Sequence, residues 1–283
     1  MSAAAMTYVI AEAGSCGDGN LTKMLSMIDD AKAVKADAVK FQWTSDARAM
    51  ALGRGSAKRD GYESIYRHYL EWPQKWHAEL ASHCESVGID YLCTVYLADD
   101  IKAVSEYVKG FKVASFEAQD FEFIRAHAYC ASLDRPLFIS TGMCSKREIN
   151  RLWREAVLPH GLKNCVKLLH CVSAYPAPFN ELNLRVLRPR RYGLWKFAGF
   201  SDHSLPALTH SGALAVVAGA EIIEAHLRSA DTSPDNPDHD HAMTTDQFLA
   251  YVAQIRMVEK ALGTGKKERQ TCEAVMTQYR VVP

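Results

Sequence analysis

Between Leu194 and Leu227, two short apolar segments flank one segment of helix length. The first, LWKFAGFSDHS, ends in Ser201, Asp202 and His203. The second, AEIIEAHL, carries Glu224 and His226, and the alanine-rich LPALTHSGALAVVAG lies between them. A strand, a crossover helix and a second parallel strand account for this pattern. Parallel sheets, open or closed, collect their chemistry at the C-terminal ends of the strands. The rest of the chain is therefore searched for more units of this kind.

Six further apolar runs precede this stretch: Tyr8 to Ala11, Ala38 to Phe41, Ile89 to Val95, Phe111 to Ser115, Pro136 to Ser140 and Cys165 to Cys171. Helical spacing follows at Leu21 to Val34, with Asn20 placed to cap it, and at Pro73 to Val87, Ala98 to Lys109 and Gln119 to Cys130. Ser145 with Glu148 matches a capping box, and Thr244 to Leu262 is an amphipathic helix. Val172 to Leu187 is mainly loop. Trp43 to Tyr69 is polar and aromatic, with Gly53, Gly55 and Gly61. It reads as a long loop with short helical pieces, of the kind that covers a site. Eight such units predict an α/β fold, a (β/α)8 TIM barrel over residues 1–265, with 266–283 as a peripheral tail or helix. A doubly wound sheet is the runner-up. It needs a glycine-rich phosphate turn after the first strand, and AEAGSCGDGN lacks the GxGxxG spacing.

The 33 basic and 33 acidic residues balance, which argues against a nucleic-acid groove or a polybasic membrane surface. No run approaches the roughly 18 apolar residues of a membrane span. MSAAAMTYVIAEAG has no basic segment before its first apolar run, so no signal peptide is expected. Eight scattered cysteines without CxxC read as reduced thiols, and the expected location is cytoplasmic. The expected partners are small molecules.

A barrel brings its strand ends to one pocket. The polar residues there are Glu12, Lys40 with Gln42, Thr94, Ser115 with Glu117, Ser140 with Thr141, His170 with Ser173, the Ser201–His203 cluster, and Glu224 with His226. Lys40, Lys112, Ser115, Ser140 and Thr141 are donors suited to a phosphate or carboxylate. Lys112 falls within its strand and alternates with Ser115, which places the two on opposite faces unless a bulge intervenes. Glu12 and Glu117 suit proton handling or the orienting of a hydroxyl. His203 and His226 come from adjacent strands and could bind a metal, although two histidines alone specify none. Asp202 or Glu224 could add an oxygen ligand or orient an imidazole. His170 is read equally as a core or a site residue. His68, His77, His83, His127, His160 and His210 are taken mostly as surface or helix residues. Of the loop pair His239 and His241, His239 is placed toward the mouth. Cys93, Cys144 and Cys171 have no paired base and are read as packing residues.

The strings AEAG, ADAVKFQ, KVAS with FE, ISTGM, LLHCVSAYPAP, GFSDHS and EIIEAHL follow one another in register. Together they resemble the sialic acid synthase family, from Val9 to about Phe248. The resemblance implies condensation of phosphoenolpyruvate with an aldehyde sugar, by C–O cleavage, to a 2-keto-3-deoxy acid and phosphate. It implies a divalent metal, manganese first with Mg2+ or Co2+ as alternatives, held by His203 and His226. It implies a phosphoenolpyruvate cradle of Lys40, Thr94, Lys112, Ser115, Ser140 and Ser201. Glu12 would hold or protonate sugar hydroxyls, and Glu117 would act on the water or the tetrahedral centre. Gln42, Tyr175, Ser173 and Asp202 would face the substrate.

The chain departs from the family pattern at Cys16, Gly17, Asp18 and Gly19, where the family commonly reads NHNG, and at Thr94, Val95 and Tyr96. The family's antifreeze-like C-terminal domain is not seen in this sequence. A homodimer is the family's habit, but the arm that usually explains it is missing. These departures lead to the expectation of an acceptor other than N-acetylmannosamine. The alternatives are a metal-assisted aldolase or isomerase on the same pocket, or a non-catalytic sugar-phosphate binding subunit.

Overall fold

Side chains alternate across a strand, and here that alternation builds two concentric cores. The strands are β1 (Tyr8–Gly14), β2 (Ala38–Trp43), β3 (Asp90–Val95), β4 (Gly110–Val113), β5 (Leu137–Ser140), β6 (Val166–His170), β7 (Phe197–Asp202) and β8 (Ile222–His226). All neighbours pair parallel in sequence order, and β8 returns to β1, so the sheet closes into the expected barrel. The computed structural model describes residues 6–53, 61–132, 134–188, 195–204 and 210–281. The expected start of the seventh strand at Leu194, the loop glycine Gly55 and residues 205–209 of the expected crossover helix lie outside these.

Outward-facing Val9, Val39, Tyr91, Phe111, Ile139, Leu168, Phe200 and Ile223 pack under the helices in one large apolar cluster. Full burial of each such side chain is worth roughly 1.5–3 kcal/mol. Inward-facing Ile10, Ala38, Leu92, Phe138, Leu169, Ala198 and Ile222 form a separate apolar floor inside the barrel. Two residues further along their strands come Glu12, Lys40, Thr94, Ser140 and Glu224, and Lys112 stands two beyond Gly110 on β4, all buried. The barrel thus changes from apolar to charged within one step of the pleat. The β6–β7 register shifts opposite Ala198. This extra residue lets Ala198 join the floor while Ser201 still faces inward, three positions on.

The helices are α1 (Leu21–Ala33), α2 (Ala47–Gly53), α3 (Tyr62–Tyr69), α4 (Trp76–Val87), α5 (Ala98–Val104), α6 (Phe121–Ala126), α7 (Lys146–Leu152), α8 (Ser211–Ala218) and α9 (Thr245–Leu262). Asn20 caps α1 through the Lys23 N–H, and Ser145 with Glu148 forms the expected capping box on α7. α2 and α3 lie in the long segment after β2, where Ala47, Met50, Tyr66 and Leu70 pack together. Of the surface-or-helix reading, His77 fits the helix half, in α4, and His127 opens a 3-10 turn after α6; both are fully buried. The described residues beyond α9 are exposed and include two short 3-10 turns. Among the described residues no helix is long and apolar enough to cross a membrane.

Candidate active site

At the C-terminal mouth of the barrel is a cavity of about 430 Å3. Eleven of the residues expected from sequence line it: Glu12, Lys40, Gln42, Thr94, Lys112, Ser115, Ser140, Tyr175, Ser201, His203 and His226. Glu224 lines it too, as do Tyr62, Ile65, Tyr66, Tyr69 and Leu70 from α3 and its end, and Tyr96 after β3. The charged layer of the barrel is therefore the cavity floor, and α3 forms an aromatic wall.

Two lysines and two carboxylates share that floor. Lys40 pairs with Glu12, its Nζ donates to Thr94 Oγ1 at 2.9 Å, and Glu224 Oε2 lies 3.7 Å away. Lys112 Nζ lies 3.7 Å from Glu224 Oε1. Burial pushes the Glu12 carboxyl up, against the pull of Lys40. Burial also acts on Glu224, but Lys112 and Lys40 outweigh it and hold that carboxyl down to about 2. Burial likewise opposes the Lys40 charge, yet Glu12 and Glu224 raise its pKa. At Lys112 burial prevails and the pKa is lowered. The two carboxylates are thus driven apart, Glu12 toward proton handling and Glu224 toward a permanent counter-charge.

The hydroxyls differ in their engagement. Ser201 donates to Glu224 Oε1 at 2.8 Å, and Ser115 accepts from Ser173 at 2.8 Å. Ser140 Oγ is buried with no hydrogen-bond partner. An incoming anion gives such a group its missing acceptor. Lys112 and Ser115 both reach the cavity although simple alternation opposes them. β4 ends at Val113, and the chain turns into a 3-10 turn at Ser115–Glu117, which brings Ser115 round to the side of Lys112.

The imidazoles gather on the β7–β8 side. His203 and His226 have ring centroids 5.7 Å apart, and Tyr175 stacks on His203 at 4.3 Å. His203 Nδ1 bonds the Val172 carbonyl at 2.9 Å, which fixes the proton on that nitrogen. Burial pushes this imidazole down to about 4, so it is neutral near pH 7. Burial, with His241 adding to it, takes His226 well below its ordinary range. A tighter group lies beside them: donor atoms of His226, Asp238 and His241 all fall within 4.8 Å of one another. Burial acts against the Asp238 charge, but His241, His226 and the Ser15 N–H hold its carboxyl below the ordinary range. Two imidazoles and a carboxylate are a donor set that fits a divalent cation.

Asp238 and His241 lie in the loop after β8 and were not singled out by sequence, which favoured His239. His239 instead bonds the exposed Asp240. The only signal for the pair was an acid followed three residues later by a histidine. This loop is tied to the one after β1. Asn236 bonds Ser15 and Asp18, Asp18 accepts from Ser233, and Lys23 pairs with Asp18 at 2.7 Å. Asp18 therefore braces the two loops, and Ser15 is the first-loop side chain that reaches the cavity.

Four expected residues are placed elsewhere. Asp202 alternates outward from Ser201, accepts from Tyr251 at 2.8 Å and from Ser204 N at 2.9 Å, and pairs with Ser211. It anchors α8 and α9 instead of facing substrate. Glu117, at the far end of the 3-10 turn, lines a neighbouring cavity with Tyr96 and Asp120. Thr141 bonds back to the Leu169 carbonyl, and Ser173 supports Ser115 from behind. His170 faces outward against Phe197 and Phe200, bonding the Leu182 carbonyl, and is a packing residue. Burial raises the Cys93, Cys144 and Cys171 thiols, in keeping with packing roles.

Residues 27–267 match the model of the NeuB family. The chain is 32% identical to N,N'-diacetyllegionaminic acid synthase of Legionella pneumophila, over 92% of this chain and 74% of that protein. It is 30% identical to pseudaminic acid synthase of Campylobacter jejuni, over 92% and 76%. Among solved structures, the N-acetylneuraminic acid synthetase of Leptospira borgpetersenii superposes with a TM-score of 0.83 at 27% identity, covering 97% of this chain and 91% of that one.

Proposed function

The chain belongs to the NeuB family of sialic-acid-type synthases, and from that footing we propose that it joins phosphoenolpyruvate to an open-chain aldehyde sugar. The products are a 2-keto-3-deoxy acid and phosphate. C3 of phosphoenolpyruvate bonds to the aldehyde carbon, water adds at C2, and the C2–O bond to phosphate breaks. On this reading the barrel, residues 1–265, is the catalytic unit.

The observation that carries the reading is the convergence of Lys40, Lys112 and the unpartnered Ser140 hydroxyl on one cavity floor, beside the imidazole cluster. Lys40, Thr94, Lys112, Ser115, Ser140 and Ser201 supply cationic and hydroxyl donors for the phosphate and carboxylate of phosphoenolpyruvate. Lys40 is pre-paired with Glu12 and Glu224, which raise its pKa and favour its charged form in a buried site, whereas Lys112, lowered by burial, has Glu224 as its counter-charge. Glu12, raised by burial and held by Gln42 Nε2 at 2.6 Å, handles a proton at the sugar oxygens. Glu224 stays ionised and orients Ser201. Bound by His203 and His226, a divalent cation, Mn2+ first with Mg2+ or Co2+ as alternatives, supplies Lewis-acid polarisation of the aldehyde. Glu117, which faces another cavity, is given no part.

We place the acceptor against the α3 wall of Tyr62, Ile65 and Tyr69. The altered first loop brings only Ser15 to the cavity, which supports an acceptor other than N-acetylmannosamine. A panel of aldehyde sugars with phosphoenolpyruvate and Mn2+, scored by phosphate release, tests this. Sugar-dependent release, weakest with N-acetylmannosamine, is expected. Preference for that sugar overturns the acceptor assignment. Sugar conversion without phosphate favours an aldolase or isomerase, and binding without turnover favours a non-catalytic subunit.

A further inference from the structure

We propose that His241 is a direct ligand of the divalent cation, joining His226 and Asp238 in one donor set. The inference rests on the reading that this site binds a divalent cation, and it adds Asp238 and His241 to the His226 that reading already uses.

Three observations converge. His226 Nδ1 and His241 Nε2 are both buried with no hydrogen-bond partner. Two orphaned ring nitrogens in one place lack the acceptors or donors that buried polar atoms ordinarily find. A cation satisfies both at once. The spacing also fits: Asp238 Oδ2 lies 3.9 Å from His226 Nδ1, and Asp238 Oδ1 lies 3.4 Å from His241 Nε2. The two contacts use different oxygens of Asp238, and one donor atom from each of the three residues lies within 4.8 Å of the others, so a small contraction brings them onto one ion with bonds of about 2.1 Å. His226 and His241 are edge to face, with ring centroids 4.6 Å apart, so their nitrogens are not blocked by stacking.

The carboxylate between them is already positioned. Ser15 N and Ser15 Oγ bond Asp238 Oδ2 at 2.9 and 2.8 Å. Asn236 Oδ1 accepts from Asp238 N at 2.9 Å and from Ser15 Oγ at 2.7 Å. Hydrogen bonds to a ligating carboxylate are the usual means of fixing its orientation. Tyr175, which also lines the cavity, lies against the rings, with its centroid 4.9 Å from that of His241 and 4.3 Å from that of His203. A site with this much imidazole favours Co2+ or Zn2+ over Mg2+, which prefers oxygen donors.

The test uses the full chain stripped of metal with a chelator and titrated with Co2+. Loss of His241 in His241→Ala is expected to weaken Co2+ binding about tenfold or more, with a shift of the visible bands, and to change Mg2+ binding less. Unchanged Co2+ affinity and spectrum in His241→Ala overturn the inference. Should that variant fail to fold, anomalous diffraction from Co2+-soaked wild-type crystals decides: the inference expects His241 Nε2 within about 2.3 Å of the ion. An ion held by His203 and His226 with His241 beyond bonding distance overturns the inference but leaves the proposed function standing. Failure of the wild type to bind Co2+, Zn2+ or Mn2+ at all overturns both.

Discussion

The space a Cβ at Gly14 would occupy is already taken by the carboxylate of Asp238. Gly14 sits at φ +53°, where the β1–β2 pairing resumes opposite Phe41 after a register shift, and lets the loop after β8 close down on the mouth. A backbone choice in the first strand thus fixes the position of an acid more than two hundred residues later.

Gly14→Ala meets both a left-handed backbone and a steric clash. The conformational penalty alone is about 1–2 kcal/mol, and Asp238 must also move away from His226 and His241. Thermal unfolding is expected to show a lowered Tm, and Co2+ titration a weakened site. Gly53→Ala is the control, since a Cβ there meets nothing. Equal Tm values for the two variants would remove the proposed link between Gly14 and Asp238.

Glu224→Gln leaves Lys112 and Lys40 without their shared counter-charge. Its folded pKa is depressed from an ordinary 4.5 to about 2. The stability it contributes is therefore fully present above pH 4.5 and lost as pH falls through 2. At about 1.4 kcal/mol per unit, the effect at pH 7 is about 3 kcal/mol. Chemical denaturation of wild type and variant should diverge above pH 4.5 and converge on acidification. A constant difference across that window would assign the loss to packing instead of charge.

Ser140→Ala separates a binding role from a structural one. The hydroxyl has no partner, so its removal should leave unfolding unchanged or slightly improved. A hydrogen bond to a charged substrate group is worth about 1.5–3 kcal/mol, or roughly 10–100-fold in the KM for phosphoenolpyruvate. Steady-state kinetics with a wild-type KM would remove Ser140 from the cradle.

Alternation along strands made much of this site legible in the sequence. Glu12, Lys40, Thr94, Ser140 and Glu224 all lie one pleat above the apolar floor, on the inward face that a period of two assigns them. The misplacements come where that period breaks. Ser115 and Glu117 follow the end of β4, where a tight turn replaces the strand and sends the two side chains to different cavities. Asp202 was read with its neighbours, although alternation turns it outward between Ser201 and His203. Asp238 and His241 belong to an irregular loop with no periodicity; His226 ends the strand before that loop, and Ser15, which holds Asp238, comes near through closure of β8 on β1. The seven motifs in register identified the family. They gave no sign of His241, because the direction of a loop side chain follows from an irregular backbone path that no sequence period encodes.

Condensation with C–O cleavage leaves a distinct isotopic mark when the substrate carries an oxygen label. Phosphoenolpyruvate carrying 18O in the bridge between C2 and phosphorus is turned over with an accepted aldehyde sugar, and the products are weighed by mass spectrometry. Expected are 18O in the released phosphate, a 2-keto-3-deoxy acid whose keto oxygen comes from water, and no turnover without the sugar. Phosphate released without the label, with 18O retained in the organic product, would contradict it.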